Sequence, residues 1–200
     1  MIYNKGKDMI SLIIVKPMEG NMGKRVLIIS SSPRKSGNTD ILCERFAVGA
    51  IEAGNQTETI YLREKNIGNC LACDSCKRNG GECVRKDDME EVLTKIMASD
   101  VMVMATPVYF YSMNGQMKNL IDRTYSRYLE IRDKEFYFML TAADDDIRAM
   151  DRTVEGFRGF TYCLEGAVEK GIVYGIGSWK KGDVKGKGAY DDAYEMGRSI

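Results

Sequence analysis

"RVLIISSSPRKSGNTD", residues 25 to 40, decides the fold. From Val26 it opens as a continuous apolar run, the pattern of a strand covered on both faces. A polar loop rich in serine follows, and then a helix pattern with Leu42, Phe46, Ala50 and Ala53 along one stripe. The same alternation continues outward. "QTETIYL" (56–62) alternates in polarity, which suits an edge strand. "KDDMEEVLTKIM" (86–97) spaces Met89, Val92, Leu93 and Ile96 as one helical face, with Asp87 and Glu90 forming an N-terminal capping pair. "DVMVMAT" (100–106) is the next buried strand, followed by a helix carrying Met113, Met117, Leu120 and Ile121. "EFYFML" (135–140) is the fourth strand, Ile147, Met150, Val154 and Phe157 mark a further helix, and "GIVYGIG" (171–177) is the fifth strand. Strands alternating with helices predict an α/β three-layer sandwich, a five-stranded parallel sheet between two helical layers. Residues 1–22 read as an N-terminal extension. Residues 23–200 read as one domain with a cysteine-rich loop at 64–86. "WKKGDVKGKG" (179–188) reads as a solvated glycine-rich loop, and the 13 methionines as core packing.

The 29 basic and 29 acidic residues balance, so nothing points to nucleic acid or to an anionic membrane surface. The apolar run "MISLIIV" (9–15) is far short of the about 20 residues needed to cross a bilayer. No small-residue cleavage site follows it, and the expectation is a cytoplasmic protein whose clustered thiols stay reduced and serve as ligands. The chain has no histidine. That removes Ser-His-Asp and Cys-His nucleophile systems, H-E-x-x-H metal sites and histidine general bases.

In an open α/β sheet, ligands bind beyond the carboxyl ends of the strands, and a helix N-terminus there offers unpaired N–H groups to an anion. The first loop adds the hydroxyls of Ser31, Ser32, Ser36 and Thr39, the Asn38 amide and Arg34. Neither G-x-G-x-x-G nor G-x-x-x-x-G-K-[ST] occurs, which disfavours a dinucleotide Rossmann site and a P-loop. Hydroxyls with one arginine suit a terminal phosphate monoester. At the end of the third strand, Pro107, Val108, Tyr109, Phe110 and Tyr111 place aromatics where a chain should turn polar, a ledge for a flat ring. Together the two loops describe a mononucleotide with a large ring, flavin mononucleotide (FMN).

"CLACDSCKRNGGEC" (70–83) sets four cysteines at C-x2-C-x2-C-x6-C. Two x2 steps put three sulfurs on one tight loop, and Cys83 closes a fourth corner after the flexible segment 77–82. An iron–sulfur cluster, a zinc ion and unmetallated thiols all remain open on the spacing. Cys43 and Cys163 fall inside helix patterns as buried packing residues. "DDD" (144–146) reads as the acidic first turn of a helix.

"SSSPRKSGNTD", the cysteine motif followed by "DDM", "ATPVYFYSM" and "K-x3-DR" at 118–123 together resemble the flavodoxin-fold NADPH-dependent FMN reductases, and within them the iron–sulfur flavoproteins. The likeness covers about residues 23–180. It implies a flavodoxin-like sheet in the order 2-1-3-4-5, FMN at its carboxyl edge, and a homodimer or homotetramer that shares flavin sites. Carried over, Ser32, Arg34, Ser36, Asn38 and Thr39 would hold the phosphate. Pro107, Val108, Tyr109 and Phe110 would line the isoalloxazine, with Thr141 and Ala142 adding contacts. Cys70, Cys73, Cys76 and Cys83 would ligate a [4Fe–4S] cluster. Ser31 stands where the family commonly has glycine. The implied activity is FMN-dependent oxidation of NAD(P)H, with electrons passing to a quinone, flavin, nitro or azo compound or a protein acceptor, or singly to the cluster. No protein side chain is assigned as a general acid. Two other readings stay open: a flavodoxin-like electron carrier without pyridine-nucleotide activity, and a cofactor-free α/β module with a zinc loop.

Overall fold

The computed structural model describes residues 23–200; the N-terminal extension lies outside the described residues. Strands β1 (Arg25–Ser30), β2 (Gln56–Tyr61), β3 (Val101–Tyr109), β5 (Glu135–Thr141) and β6 (Val168–Gly175) run parallel in the order β2-β1-β3-β5-β6. A two-residue strand, β4 (Ser112–Met113), folds back antiparallel on the end of β3. With it set aside, the topology is the expected flavodoxin-like 2-1-3-4-5.

Alternation within each strand sorts the core into two halves. Leu27, Ile29, Met102, Met104, Phe136 and Phe138 face α3 (Met89–Ala98), α4 (Gly115–Thr124) and α5 (Asp151–Tyr162), while α2 (Ser75–Arg78) is a single turn within the cysteine loop. Val26, Ile28, Val101, Val103, Tyr137 and Met139 face α1 (Asn38–Glu52) and α6 (Gly188–Arg198). Met89, Met102, Met104, Met117, Met139 and Met150 are all buried. No described helix is long and apolar enough to cross a membrane.

The sequence pattern does not reveal α6, which packs on α1 backbone to backbone. A Cβ on Gly197 would lie 2.2 Å from the Phe46 carbonyl oxygen, and one on Gly49 would lie 2.2 Å from that of Tyr194. The Arg45 guanidinium sits over the Tyr194 ring at 4.1 Å and the Tyr190 ring at 4.9 Å, adding cation–π attraction at the same crossing.

Several local expectations are corrected. Ala53 caps α1 and is exposed, because the helix ends before its stripe returns to the sheet. Met113 belongs to β4, ahead of the helix. Ile147 lies in a 3₁₀ turn at 147–150 and is half exposed; the buried stripe begins at Met150. Asp144–Asp146 precede that turn, and Asp146 accepts the Arg148 amide there. Asp87 and Glu90 do not form a reciprocal box: Asp87 is engaged by Arg123, and Glu90 by Arg127. β6 spans 168–175 rather than 171–177. Cys43 is buried, and burial pushes its thiol pKa far up. Cys163 is exposed, because it falls on the C-terminal cap of α5 rather than within its buried face. Segment 179–188 is not a plain solvated loop, since it carries a 3₁₀ turn at 183–186 with Val184 fully buried.

Candidate functional site

The parallel register brings Ser30, Tyr61, Ala105 and Thr141 to one edge of the sheet, where the loops after β1, β3, β5 and β6 meet. An open cleft of about 140 Å³ lies between them. Ser32, Arg34, Asn38, Thr39, Pro107, Val108, Tyr109 and Thr141 line it, together with Gly37, Ala143, Ser178 and Trp179, which sequence reasoning does not single out.

The N-cap of α1 is Gly37, which has no side chain to cap the first amides. Those N–H groups and the helix dipole face the cleft. A Cβ at Gly37 would meet the Arg34 carbonyl oxygen at 3.0 Å and Ser32 Oγ at 3.1 Å, so the loop is closed tightly on a glycine. Ser32 Oγ accepts the Arg34 amide and donates to the Arg34 carbonyl, which fixes that turn. The Arg34 side chain is exposed at the cleft, and its one hydrogen bond among the described residues is to the Trp179 carbonyl at 3.4 Å.

Beneath the loop lies a carboxylate. Asp40 is 1% exposed and accepts from Ser30 Oγ at 2.6 Å, the Ser36 amide at 2.8 Å and Arg63 Nη1 at 2.9 Å. Ser36 takes a left-handed conformation, φ 53°, that turns its amide onto Asp40 rather than outward. Arg63 also donates to the Ser32 carbonyl. Its cation cancels the charge of Asp40, so the floor of the cleft does not repel an anion.

Asn38 has a different task from the expected one. Its amide donates to the Ser178 and Lys180 carbonyls, and its oxygen accepts from the Gly182 and Val184 amides. The whole group is therefore spent in bolting segment 178–184, a strap along the cleft, to the start of α1. Thr39 Oγ1 and Thr141 Oγ1 share a hydrogen bond of 2.8 Å under the cleft. Ala142 contributes backbone, accepting the Ser178 amide, while its neighbour Ala143 lines the opening. Asn114 ties the first and third loops together: it donates to the Ser31 carbonyl and caps α4 by accepting the Met117 amide.

Beyond Tyr109 the chain reverses in two residues. Phe110 (φ 50°) and Tyr111 (φ 62°) occupy the turn between the paired Tyr109 and Ser112, where both central positions need positive φ. Asn-Gly is the usual solution, and aromatic residues there carry strain. Phe110 is wholly exposed, so burial does not offset it. Phe110→Asn combined with Tyr111→Gly is expected to raise stability by about 1 kcal/mol, read from the denaturant midpoint. An unchanged midpoint would mean that the turn is not strained.

The four motif cysteines line one small cavity of about 30 Å³ with Leu71, Val84, Arg85 and Tyr125. Ala72 and Asp74 adopt left-handed φ of 51° and 53°, which curls the loop between Cys70 and Cys76. The Ala72 amide donates to Cys70 Sγ at 3.4 Å. The amide and hydroxyl of Ser75 hold the Cys73 thiol below the ordinary cysteine pKa. Arg85 Nε is buried beside this cavity without a partner among the described residues, a cation with a donor to spare. This donor set fits an anionic, thiolate-held group. Among the described residues, no three Cys, Asp or Glu side chains are placed to share a single metal ion.

Behind the loop, the Arg123 side chain is 2% exposed. Its Nη1 donates to Asp87 Oδ2 at 2.7 Å and to the Gly68 carbonyl at 2.6 Å. Its Nη2 donates to Asp87 Oδ1 at 3.0 Å and to Cys83 Sγ at 3.6 Å. Burial pushes the Asp87 carboxyl pKa up, but the Arg123 fork and the Gly68 and Met89 amides outweigh it, leaving the group below its usual range.

An iron–sulfur flavoprotein of Methanocaldococcus jannaschii is 38% identical over 100 residues, covering 50% of this chain and 51% of its own length. One from Archaeoglobus fulgidus is 31% identical over 145 residues, covering 70% and 72%. The chain spans about half the length of the first of these relatives. An FMN-dependent NADH-azoreductase from Bacillus anthracis, solved with FMN, superposes with a TM-score of 0.68 at 18% identity, covering 88% of this chain and 98% of that one. The family model of the NADPH-dependent FMN reductases matches residues 24–178, from the first residue before β1 to the strap that closes the cleft, and the chain belongs to that family.

Proposed function

We propose that the chain is an FMN-dependent NAD(P)H oxidoreductase passing electrons to a small-molecule or protein acceptor. The observation that carries this reading is the uncapped start of α1, with Arg34 above it and a charge-neutral floor below, beside the aromatic end of β3. Ser32, Arg34, Ser36, Thr39 and the amides of the first helical turn would bind the phosphate. Asn38 would hold the strap against it. Pro107, Val108, Tyr109, Phe110 and Trp179 would flank the ring and exclude water from one face; Thr141 and Ala142 would close the opposite side. Bound there, FMN supplies two-electron uptake from NAD(P)H and delivery to the acceptor.

Cys70, Cys73, Cys76 and Cys83 would hold a [4Fe–4S] cluster, which supplies single-electron transfer. That all four cysteines line one cavity supports a single shared group.

Arg34→Ala removes one charge-assisted contact, worth about 1.5–3 kcal/mol, so FMN affinity should fall about 10- to 100-fold. Fluorescence titration of flavin into the apoprotein reads the change. Wild-type affinity in the variant would sink the phosphate assignment. NADPH oxidation followed under anaerobic turnover conditions tests the rest: tight FMN without NADPH oxidation would mark an electron carrier.

A further inference from the structure

Cys83 differs from Cys70 and Cys73 in its neighbour. Cys70 takes a backbone amide and Cys73 is held by Ser75, whereas Cys83 faces a buried guanidinium. Arg123 cannot swing away, because both of its terminal nitrogens are held by the two oxygens of Asp87 and by the Gly68 carbonyl. It arises on α4, the helix that Asn114 caps and ties to the phosphate loop. The cleft loops and the fourth cysteine thus rest on one rigid element.

We propose that Arg123 is a positioning residue for the four-cysteine centre, acting through Cys83 to set how readily the centre accepts an electron. This rests on the cluster reading above. Reduction adds one electron, and one unit of negative charge, to the thiolate-held group; a low-potential chemical reductant supplies it in the test. A fixed cationic N–H donor at a ligand sulfur stabilises the more negative, reduced form and so favours reduction. Asp87 tempers the effect with its own charge and keeps the guanidinium aimed. Glu82, Arg85, Lys86 and Glu90 line the same groove as Cys83, Asp87 and Arg123, so the sulfur faces a mixed field in which Arg123 is the donor in contact.

The test uses the full chain, purified and reconstituted without oxygen, with iron and sulfide assayed per chain. Potentiometric titration with dithionite follows the cluster by EPR and the flavin by absorbance. In the double variant Arg123→Gln with Asp87→Asn, the charges leave together and no buried carboxylate is stranded. The expected result is an about tenfold shift of the one-electron equilibrium toward the oxidised cluster, about 59 mV, with flavin potential and iron content unchanged. Should the double variant not fold, Arg123→Lys keeps the charge without the fork and is expected to shift the cluster in the same direction. A cluster potential equal to wild type, or a loss of iron in place of a shift, overturns the assignment. Wild-type protein that takes up no iron and sulfide overturns the cluster reading itself, and this assignment with it.

Discussion

Arg63→Met is expected to destabilise the protein by about 3–5 kcal/mol, the cost of leaving a buried carboxylate without its cation. Asp40 is 1% exposed and Arg63 is the only charged group among the described residues that reaches it. Ser30 Oγ and the Ser36 amide would remain as donors, but neither carries charge. The substitution also restores negative charge directly under the phosphate loop and removes a donor to the Ser32 carbonyl. FMN retention should therefore fall more than stability alone explains. Adding Asp40→Asn to the variant should recover most of the lost stability, because the stranded charge is gone. Chemical denaturation of the single and double variants checks both. A single variant within about 1 kcal/mol of wild type would mean that Asp40 is held adequately by its neutral donors.

No pattern in the sequence exposes that pair. Arg63 follows an edge strand and belongs to no motif; its partner arrives only because the β1–β2 register sets Ser30 beside Tyr61. The strands themselves are legible, since burial on both faces writes a continuous apolar run in β1, β3 and β5. The cleft is legible as a place and less so as a set of roles. Asn38 is polar, on the right loop, and at the right end of a helix, so it reads as a ligand. Its four hydrogen bonds to segment 178–184 depend on a strap about 140 residues away in the chain. Trp179 escapes notice because the glycines and lysines around it read as solvent-exposed loop, whereas its carbonyl meets Arg34 and its residue lines the cleft.

α6 is hidden for a related reason. Its buried face is Ala189, Ala193 and Gly197, too small to register as an apolar stripe. Small residues there are what let two helices touch through their backbones. The pair of helices in turn anchors the strap, which enters α6 directly and is bolted to α1 by Asn38.

Gly197→Ala should therefore destabilise, against the ordinary expectation. In an open helix the change gains about 1 kcal/mol. Here the new methyl would sit 2.2 Å from the Phe46 carbonyl oxygen, and 3.0 Å from the Ala50 nitrogen, where ordinary contact begins at 3.4 Å. Both neighbours are backbone of α1, so no rotamer change relieves the clash and α6 must retreat. Overpacking of this kind costs about 3 kcal/mol, near the top of its usual range, and outweighs the helical gain. Retreat also lifts Val184 and the strap, so flavin binding should weaken alongside stability. Gly159→Ala on α5 is the matched control: nothing lies within 4 Å of its added carbon, and it should stabilise by about 0.5–1 kcal/mol. Denaturation midpoints of opposite sign for the two variants would locate the effect in the α1–α6 crossing. If Gly197→Ala stabilised as its control does, the two helices could not approach as closely as described, and the strap would need another anchor.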